Sequence, residues 1–236
     1  MLRPPSQPPS LIYIKPFGRF QETIFLIVRR ATPRYQGEGG QCVFQVRIHG
    51  RGGQGVVTGA EMLSVAAFLE GAHAQAFPSF GSERTGAPVV AFCRIDDREI
   101  RLREPIMEPD ALIIQDPTLL HQVDVFAGLK RDGYILINTN RSFDELGIGE
   151  FVQGWHHERL CTVAATELAL RHVGRPLPNV PLLGGFAALS GVIRLESVCE
   201  AIRQRFAGAL AETNVAAATE AHTIVRAEMQ EALEHA

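Results

Sequence analysis

The residues best suited to chemistry form a glycine-rich run, in which Gly50, Gly52 and Gly55 match the spacing G-x-G-x-x-G. Glycines at this spacing let the backbone approach a phosphate, whose charge is met by N–H groups at the start of the following helix. The candidate contacts are Gly52, Gly53, Gln54 and Gly55. The run therefore predicts an anion-binding loop, and a tight strand-to-helix turn is its simpler interpretation.

A full NAD site would need one more feature, an acidic residue about 20 positions later that binds the ribose hydroxyls at the end of the second strand. Residues 72–78 read AHAQAFP and contain no acid, while Glu70 and Glu83 lie before and after the expected place. Three interpretations of the glycine run stay open: phosphate or anion binding, a tight turn alone, and a full NAD site.

A second candidate site is the segment 77–88, FPSFGSERTGAP. Its glycines, prolines and phenylalanines surround a charged centre, which is typical of a loop that meets a ligand or a partner. Arg84 has the planar fork that binds phosphate or carboxylate. The expected ligand or partner contacts beside it are Phe80, Ser82, Glu83 and Thr85. The alternative is a local Glu83–Arg84 surface pair of little energetic consequence.

Both loops need a sheet to position them. Residues 43–48 alternate apolar and polar side chains, which predicts a strand, and apolar residues recur at helical spacing over 56–67 up to a stop at Gly71. Residues 110–116 and 133–139 are short apolar runs separated by a helix-like segment, 119–130. This alternation predicts a buried, mostly parallel sheet.

The remaining patterns complete the predicted fold. Segments 88–95 and 99–102 flank Asp96-Asp97-Arg98, which favours an antiparallel hairpin with a turn at the two carboxylates. Two amphipathic helices follow, one over 195–206 and one beginning near Asn214. We therefore predict a doubly wound α/β fold: three α/β/α layers, a mostly parallel sheet, one antiparallel hairpin and added C-terminal helices.

The first 42 residues differ from the rest of the chain. They carry a charge of +4 against −7 for residues 43–236, and they hold six of the fourteen prolines. Pro-Pro and Gly-Gly pairs prevent a continuous helix or central strand. We predict a basic, proline-rich arm, flexible or bound to a partner, that is dispensable for the fold of residues 43–236. Contact with nucleic acid or a membrane surface is disfavoured by the thin charge, and translation beginning near Val43 is a further alternative.

Several classes of function are excluded. A chain that is 46% hydrophobic and 21% charged is not disordered, and no run near its start approaches the roughly 20 apolar residues of a membrane span. The cysteines stand singly, without the close pairs that bind zinc or iron–sulfur clusters: Cys42, Cys93, Cys161 and Cys199. The sequence predicts a cytoplasmic protein.

The other polar clusters have structural interpretations. His156-His157 lacks a third metal ligand, and Asp116-Pro117 is expected to be a turn at the end of a strand, with a binding role as the alternative. No Ser/His/Asp or reactive-cysteine arrangement follows from the spacing. The chain by itself is predicted to hold no metal and no catalytic residue.

Four linked motifs resemble one family. Residues 49–55 (HGRGGQG), 74–78 (AQAFP), 82–88 (SERTGAP) and 115–118 (QDPT) are similar, in this order, to the gamma subunit of 2-oxoacid:ferredoxin oxidoreductases, of which pyruvate synthase is typical. Asn138-Thr139 and the segment 183–186 (LGGF) add to the likeness. The resemblance covers residues 46–233, and the arm 1–42 has no counterpart in it.

The resemblance implies a function that the spacing alone does not. It implies a three-layer α/β subunit that assembles with alpha and beta subunits holding thiamine diphosphate and Mg²⁺, and with a ferredoxin-like delta subunit holding 4Fe-4S clusters. The complex would convert a 2-oxo acid to an acyl-coenzyme A, with Gly52, Gly53, Gln54, Gly55 and Arg84 near the coenzyme A approach. A free-standing Rossmann-type nucleotide-binding protein and a pure assembly scaffold are the alternatives.

Overall fold

The computed structural model describes residues 25–26, 43–79, 85–102 and 104–234. They form one seven-stranded sheet with the strand order β1-β3-β4-β2-β5-β6-β7. The strands are β1 (Phe25–Leu26), β2 (Phe44–Arg51), β3 (His73–Pro78), β4 (Pro88–Asp96), β5 (Ala111–Ile114), β6 (Tyr134–Asn138) and β7 (Leu160–Val163).

The sheet has a parallel half and an antiparallel half that share β2. On one side β2 pairs in parallel with β5, and β6 and β7 continue the parallel pairing. On the other side β4 is antiparallel to both β2 and β3, and β1 is antiparallel to β3. Since β2, β5 and β6 run in one direction, the loops that follow them meet at one edge of the sheet, where open α/β sheets usually bind ligands.

The described helices are α1 (Val56–Leu69), α2 (Gly149–Val152), α3 (Ala165–Val173), α4 (Asn179–Ser190), α5 (Leu195–Arg205) and α6 (Gly208–Glu234). One face of the sheet is covered by α1 and by α3 to α6, and the other by α2 and a 3₁₀ turn. The larger core lies between the sheet and the layer of α1, α4, α5 and α6. The smaller core packs Ile114, Ile135 and Ile137 against Leu119 and Val152. The three-layer α/β fold with C-terminal helices is confirmed.

Helix α4 is the most buried helix of this layer, and glycine makes its packing possible. A Cβ atom on Gly184 would lie 2.0 Å from the backbone oxygen of Ala218 on α6. Because no other residue lacks a Cβ, the close approach of the two helices depends on this glycine. The LGGF segment is therefore part of the core.

Three local predictions are wrong. Residues 99–102 form no strand, and β4 pairs with β2 and β3, because the alanines of β3 bury against the core whereas Arg101 and Leu102 stay exposed. Segment 119–130 is not an α-helix: a 3₁₀ helix over Pro117–His121 gives way to turns, with Gly128 at φ +70°. The last helix begins at Gly208, six residues before Asn214.

The strand β2 and the helices α1 and α5 lie where the sequence predicts them, except that β2 continues through Gly50 to Arg51. Apart from Phe25–Leu26, the predicted arm 1–42 lies outside the described residues, and so does Cys42. The prediction that the arm is dispensable stays a prediction.

Candidate functional site

The glycine run connects β2 to α1 at the edge of the sheet where the parallel strands end. Gly53 and Gly55 have φ of +98° and +74°, a conformation that L side chains rarely adopt. A Cβ on Gly50 would lie 2.6 Å from Cγ2 of Val56, and one on Gly55 would lie 2.6 Å from Nδ2 of Asn179. The tight-turn interpretation therefore explains Gly50 and Gly55.

Gly53 differs from these two glycines because its open side faces none of the residues that the structure describes. Among those residues, no atom would lie within 4 Å of a Cβ built on Gly53. The loop borders an open cleft of about 480 Å³, lined by Arg51, Gly52, Gly53, Gly55, residues 56–58, Thr85 and Val89. A turn alone needs no such cleft, so this part of the motif has room for a ligand.

The N-terminus of α1 opens into the same cleft. Gly55 is the N-cap residue and has no side chain to cap the first turn, and no acidic residue lies in that turn. The first helical hydrogen bond is donated by the Gly59 N–H to the Gly55 carbonyl, at 2.8 Å. The N–H groups before it have no helical acceptor and lie at the positive end of the helix dipole. This geometry suits an anionic group.

Arg51 holds the loop in place through four neighbours. Its Nε donates to Asp116 at 3.0 Å, and its Nη1 donates to the carbonyl of Gly86 at 3.0 Å. Its Nη2 donates to Thr118 at 2.7 Å and to Gln122 at 2.8 Å. The guanidinium is thus committed to protein acceptors from two other segments of the chain.

Gln54 completes this network from inside the loop. Its Oε1 accepts from the Arg51 N–H at 2.8 Å, and its Nε2 donates to the same Asp116 oxygen that Arg51 contacts, at 3.0 Å. Burial alone would raise the pKa of Asp116, but hydrogen bonds from Thr118 and Gln54 and the charge of Arg51 lower it below its usual range. Asp116 is therefore ionised at neutral pH. The side chain of Gln54 is a support of the loop.

The second predicted site meets the first at Thr85. Gly52 donates to the carbonyl of Ala87 at 2.9 Å and accepts from Gly86 at 3.0 Å, and it bridges Thr85 in parallel. Thr85 thus lines the cleft. The predicted residues Phe80, Ser82, Glu83 and Arg84, with the alternative Glu83–Arg84 pair, lie outside the described residues.

Two buried polar residues lie beside the loop. His49 is buried at the end of β2, and its Nε2 has no hydrogen-bond partner in the described part of the chain. Burial, with a smaller effect from Arg47, lowers the pKa of His49 to about 3. Gln115 donates its N–H to the His49 carbonyl at 2.7 Å and accepts through its own carbonyl from Asn138 at 2.7 Å.

Motifs that are far apart in the sequence therefore converge at one place. The glycine run, the 85–87 end of the second loop, the QDPT segment and Asn138 lie together at the edge of the sheet. Sequence reasoning missed the roles of Arg51 and Asp116, which stand 65 positions apart. The only signal available was that β2 and the strand before Asp116 would end at the same edge if they were parallel neighbours.

The other polar clusters show no sign of a metal site. Within the described residues, no group of three or more His, Cys, Asp or Glu side chains is placed to hold a metal ion. Cys93, Cys161 and Cys199 are buried apart from one another, and burial is the main cause that raises the pKa of each thiol. Asp96 ends β4 and accepts from the N–H of Arg98 at 3.1 Å, as a turn residue does. In the ranges that the structure describes, no helix is both long enough and apolar enough to cross a bilayer.

The fold and the site define an α/β subunit with a glycine-rich strand-to-helix loop at its ligand-binding edge. The sequence model of the family described as pyruvate ferredoxin/flavodoxin oxidoreductase matches residues 45–224. The chain belongs to this family and is of the gamma-subunit type found in its oxidoreductase complexes.

Individual relatives agree with this assignment. The chain is 48% identical over 180 residues to the common gamma subunit of the pyruvate/ketoisovalerate oxidoreductases of Pyrococcus furiosus, which covers 76% of this chain and 96% of the relative. It is 47% identical over 180 residues, with the same coverage of both chains, to the pyruvate synthase subunit PorC of Methanocaldococcus jannaschii.

Solved structures show the same fold. The pyruvate oxidoreductase subunit PORC of Thermotoga maritima is 34% identical, with a TM-score of 0.66 over 77% of this chain and 96% of that one. The 2-oxoglutarate:ferredoxin oxidoreductase of Magnetococcus marinus, solved with 2-oxoglutarate, coenzyme A and succinyl-CoA, is 15% identical with a TM-score of 0.64. This chain covers 32% of that larger one, and the likeness shows the fold alone.

Proposed function

We propose that this gamma-type subunit lines the coenzyme A approach of a 2-oxoacid:acceptor oxidoreductase complex and helps the complex to assemble. The glycine loop, with the first turn of α1, would receive the phosphate groups of coenzyme A. The substrate class is a 2-oxo acid, with pyruvate as the first choice because the relatives are named for it.

The proposed complex oxidatively decarboxylates the 2-oxo acid, passes two electrons to ferredoxin or another acceptor, and transfers the acyl group to coenzyme A. Thiamine diphosphate with Mg²⁺ supplies the decarboxylation chemistry and 4Fe-4S clusters supply the electron path. We assign these groups to alpha, beta and ferredoxin-like delta subunits. Cys93 and Cys161 do not suit a cluster, because each is buried alone in surroundings that disfavour the thiolate that binds iron.

The observation that carries the coenzyme A proposal is the open side of Gly53 beside the uncapped N-terminus of α1. A diphosphate or phosphate has the charge that such a terminus stabilises, and glycine lets it approach the backbone. Arg51 is already committed to protein acceptors. The donors left in this part of the cleft are the N–H groups of Gly53 and Gly55 and the first turn of α1, together with the hydroxyls of Thr58 and Thr85. Arg84 stays a proposed contact.

The two alternative functions are a free-standing Rossmann-type nucleotide-binding protein and a pure assembly scaffold, and they predict different features of this chain. In an NAD-binding fold the second strand lies beside the first, whereas here β4 runs antiparallel between β2 and β3. The ribose-binding acid is absent from β3 as well. A pure scaffold explains Gly50 and Gly55 but gives no reason for the open side of Gly53.

The experiment compares two glycines in the assembled complex. Gly53→Leu adds a side chain on the open side of the loop, and Gly174→Leu is its matched control. Gly174 also has positive φ (+74°) and no described atom within 4 Å of an added Cβ, but it lies at the end of α3. We expect Gly53→Leu to raise the apparent KM for coenzyme A about tenfold, the equivalent of one lost charge-assisted hydrogen bond. The KM for the 2-oxo acid and the thiamine content should stay unchanged in both variants. A wild-type KM for coenzyme A in the Gly53→Leu complex would contradict the proposal.

A further inference from the structure

The side chain of Arg51 links three segments that lie at the ends of neighbouring strands of the sheet. Through its own backbone it belongs to the glycine loop, through Gly86 it contacts the end of the second loop, and through Asp116, Thr118 and Gln122 it contacts the turn after β5. Its side chain is only 21% exposed, and that of Asp116 is 14% exposed. With four of its five N–H donors used in this way, the guanidinium is poorly placed to bind a ligand.

The same contacts determine the shape of the cleft. Gly52 is held between Ala87 and Gly86 by backbone hydrogen bonds of 2.9 and 3.0 Å, and Arg51 fixes Gly86 from the other side. Gln54 is held by Asp116, so the conformation of residues 52–55 depends on that carboxylate. The Gly52 and Gln54 N–H groups donate to the carbonyls of Ala87 and Arg51, whereas those of Gly53 and Gly55 have no acceptor among the described residues. Moving any of these groups would therefore move the N–H groups of Gly53 and Gly55, which belong to two residues that line the cleft.

We infer that Arg51 is a positioning residue for coenzyme A, which holds the glycine loop, residues 85–87 and the turn 116–122 in the one arrangement that presents the N–H groups of Gly53 and Gly55 to a phosphate. The inference rests on the proposed function of the loop. Arginine is required because its planar fork reaches four acceptors at fixed angles, whereas the ammonium group of lysine is a single point of charge. Asp116 acts with Arg51 as one unit.

The test measures initial rates of the assembled complex against coenzyme A concentration. Arg51→Lys should raise the KM for coenzyme A about tenfold, and should leave kcat and the KM for the 2-oxo acid within about twofold of wild type. Arg203→Lys is the matched control, since Arg203 also forms a two-pronged pair, with Glu212 at 2.9 and 3.2 Å, but lies on α5 away from the cleft. It should leave every constant unchanged.

Asp116→Asn separates positioning from direct binding. If Arg51 bound the phosphate directly, removing the charge of its partner Asp116 would release the guanidinium for the ligand. The KM for coenzyme A would then fall. Under the inference this variant raises the KM as Arg51→Lys does, and the double variant is no worse than either single one, because both act through one network. A KM for coenzyme A that falls or stays at the wild-type value in Asp116→Asn would overturn the inference.

If an Arg51 or Asp116 variant fails to fold, a double variant at two exposed side chains tests the same contacts. Thr118→Val combined with Gln122→Ala removes both acceptors of Nη2, and both side chains are exposed. We expect a KM for coenzyme A about threefold above wild type, and a wild-type value would count against the inference.

The inference and the proposed function fail in different ways. If Gly53→Leu raises the KM for coenzyme A while the Arg51 and Asp116 variants do not, the inference is wrong and the proposed function stands. If Gly53→Leu leaves this KM unchanged, the proposed function itself is wrong.

Discussion

The glycine loop and the contact between α4 and α6 both contain paired glycines, yet they use them for opposite purposes. In the loop, Gly53 has positive φ and an open side that faces a cleft. In α4, Gly184 is helical, and a Cβ there would collide with the backbone of α6 at 2.0 Å. The first glycine leaves space for something from outside, whereas the second removes space within the core.

This difference separates function from stability within one chain. A substitution at Gly53 should change ligand binding more than folding, because no described residue lies within 4 Å of the Cβ that it would add. A substitution in α4 should change folding first, since core packing tolerates little added volume. Substitutions at the two kinds of glycine and at the neighbouring His49 should therefore have effects of different size.

Gly184→Val should have the largest effect on stability. The added side chain forces α4 and α6 apart, and we expect the free energy of unfolding to fall by more than about 3 kcal/mol. Urea denaturation of the isolated chain measures this loss. Gly185→Ala is the control, because its Cβ would lie 3.2 Å from the movable Cγ2 of Val225, and it should cost about 1 kcal/mol. Equal losses in the two variants would contradict this account of the helix contact.

Gly55→Ala should be next, since it combines the two uses of glycine. Its φ of +74° strains any L residue, and its Cβ would press on the side chain of Asn179. We expect a loss of about 2–3 kcal/mol, part of which is recovered by Asn179→Ala in the same chain. Denaturation of the single and double variants checks this. Strictly additive losses would show that contact with Asn179 is not part of the cost.

His49 makes the loop region sensitive to pH. The unfolded chain binds a proton near pH 6.5, whereas the folded chain keeps His49 neutral down to about pH 3. Stability is therefore fully present above pH 6.5 and decreases as the pH falls below it. Between pH 7 and pH 5 the loss from this one group is about 2 kcal/mol. His49→Leu should remove that share of the pH dependence of unfolding, and an unchanged dependence would show that the folded imidazole titrates normally.

Gly53→Ala should have the smallest effect on folding, because only the backbone conformation opposes it. The expected cost is about 1 kcal/mol, and Gly174→Ala at a similar φ should cost the same. Thermal melting of the isolated chain compares the two. A much larger loss at Gly53 would mean that the open side of the loop is filled by the chain itself.

Some of this architecture is readable in the sequence because the signals are local. The alternation over residues 43–48, followed by glycines and then by apolar residues at helical spacing, predicts β2, the loop and α1, and all three lie where expected. The early start of α6 is missed because residues 208–213 carry no clear apolar period. Segment 119–130 has helical spacing, but Pro117 begins a 3₁₀ turn and Gly128 requires positive φ.

The pairing of the sheet and the support of the loop are not local. Strand β4 pairs with β2 and β3 and not with residues 99–102. This pairing depends on which side chains are buried in the core. The contact of Arg51 with Asp116 exists only because β2 and β5 are parallel neighbours. The sequence shows only an arginine and an aspartate far apart in the chain. It does not distinguish an exposed surface ion pair from the contact that supports this loop.

A calorimetric titration of the assembled complex with coenzyme A measures directly whether the glycine loop binds this ligand. We expect Gly53→Leu to weaken the equilibrium affinity at least about tenfold, whereas Gly174→Leu should bind as wild type does. Equal affinity in all three complexes would contradict it and would leave the glycine loop as a turn that only connects β2 to α1.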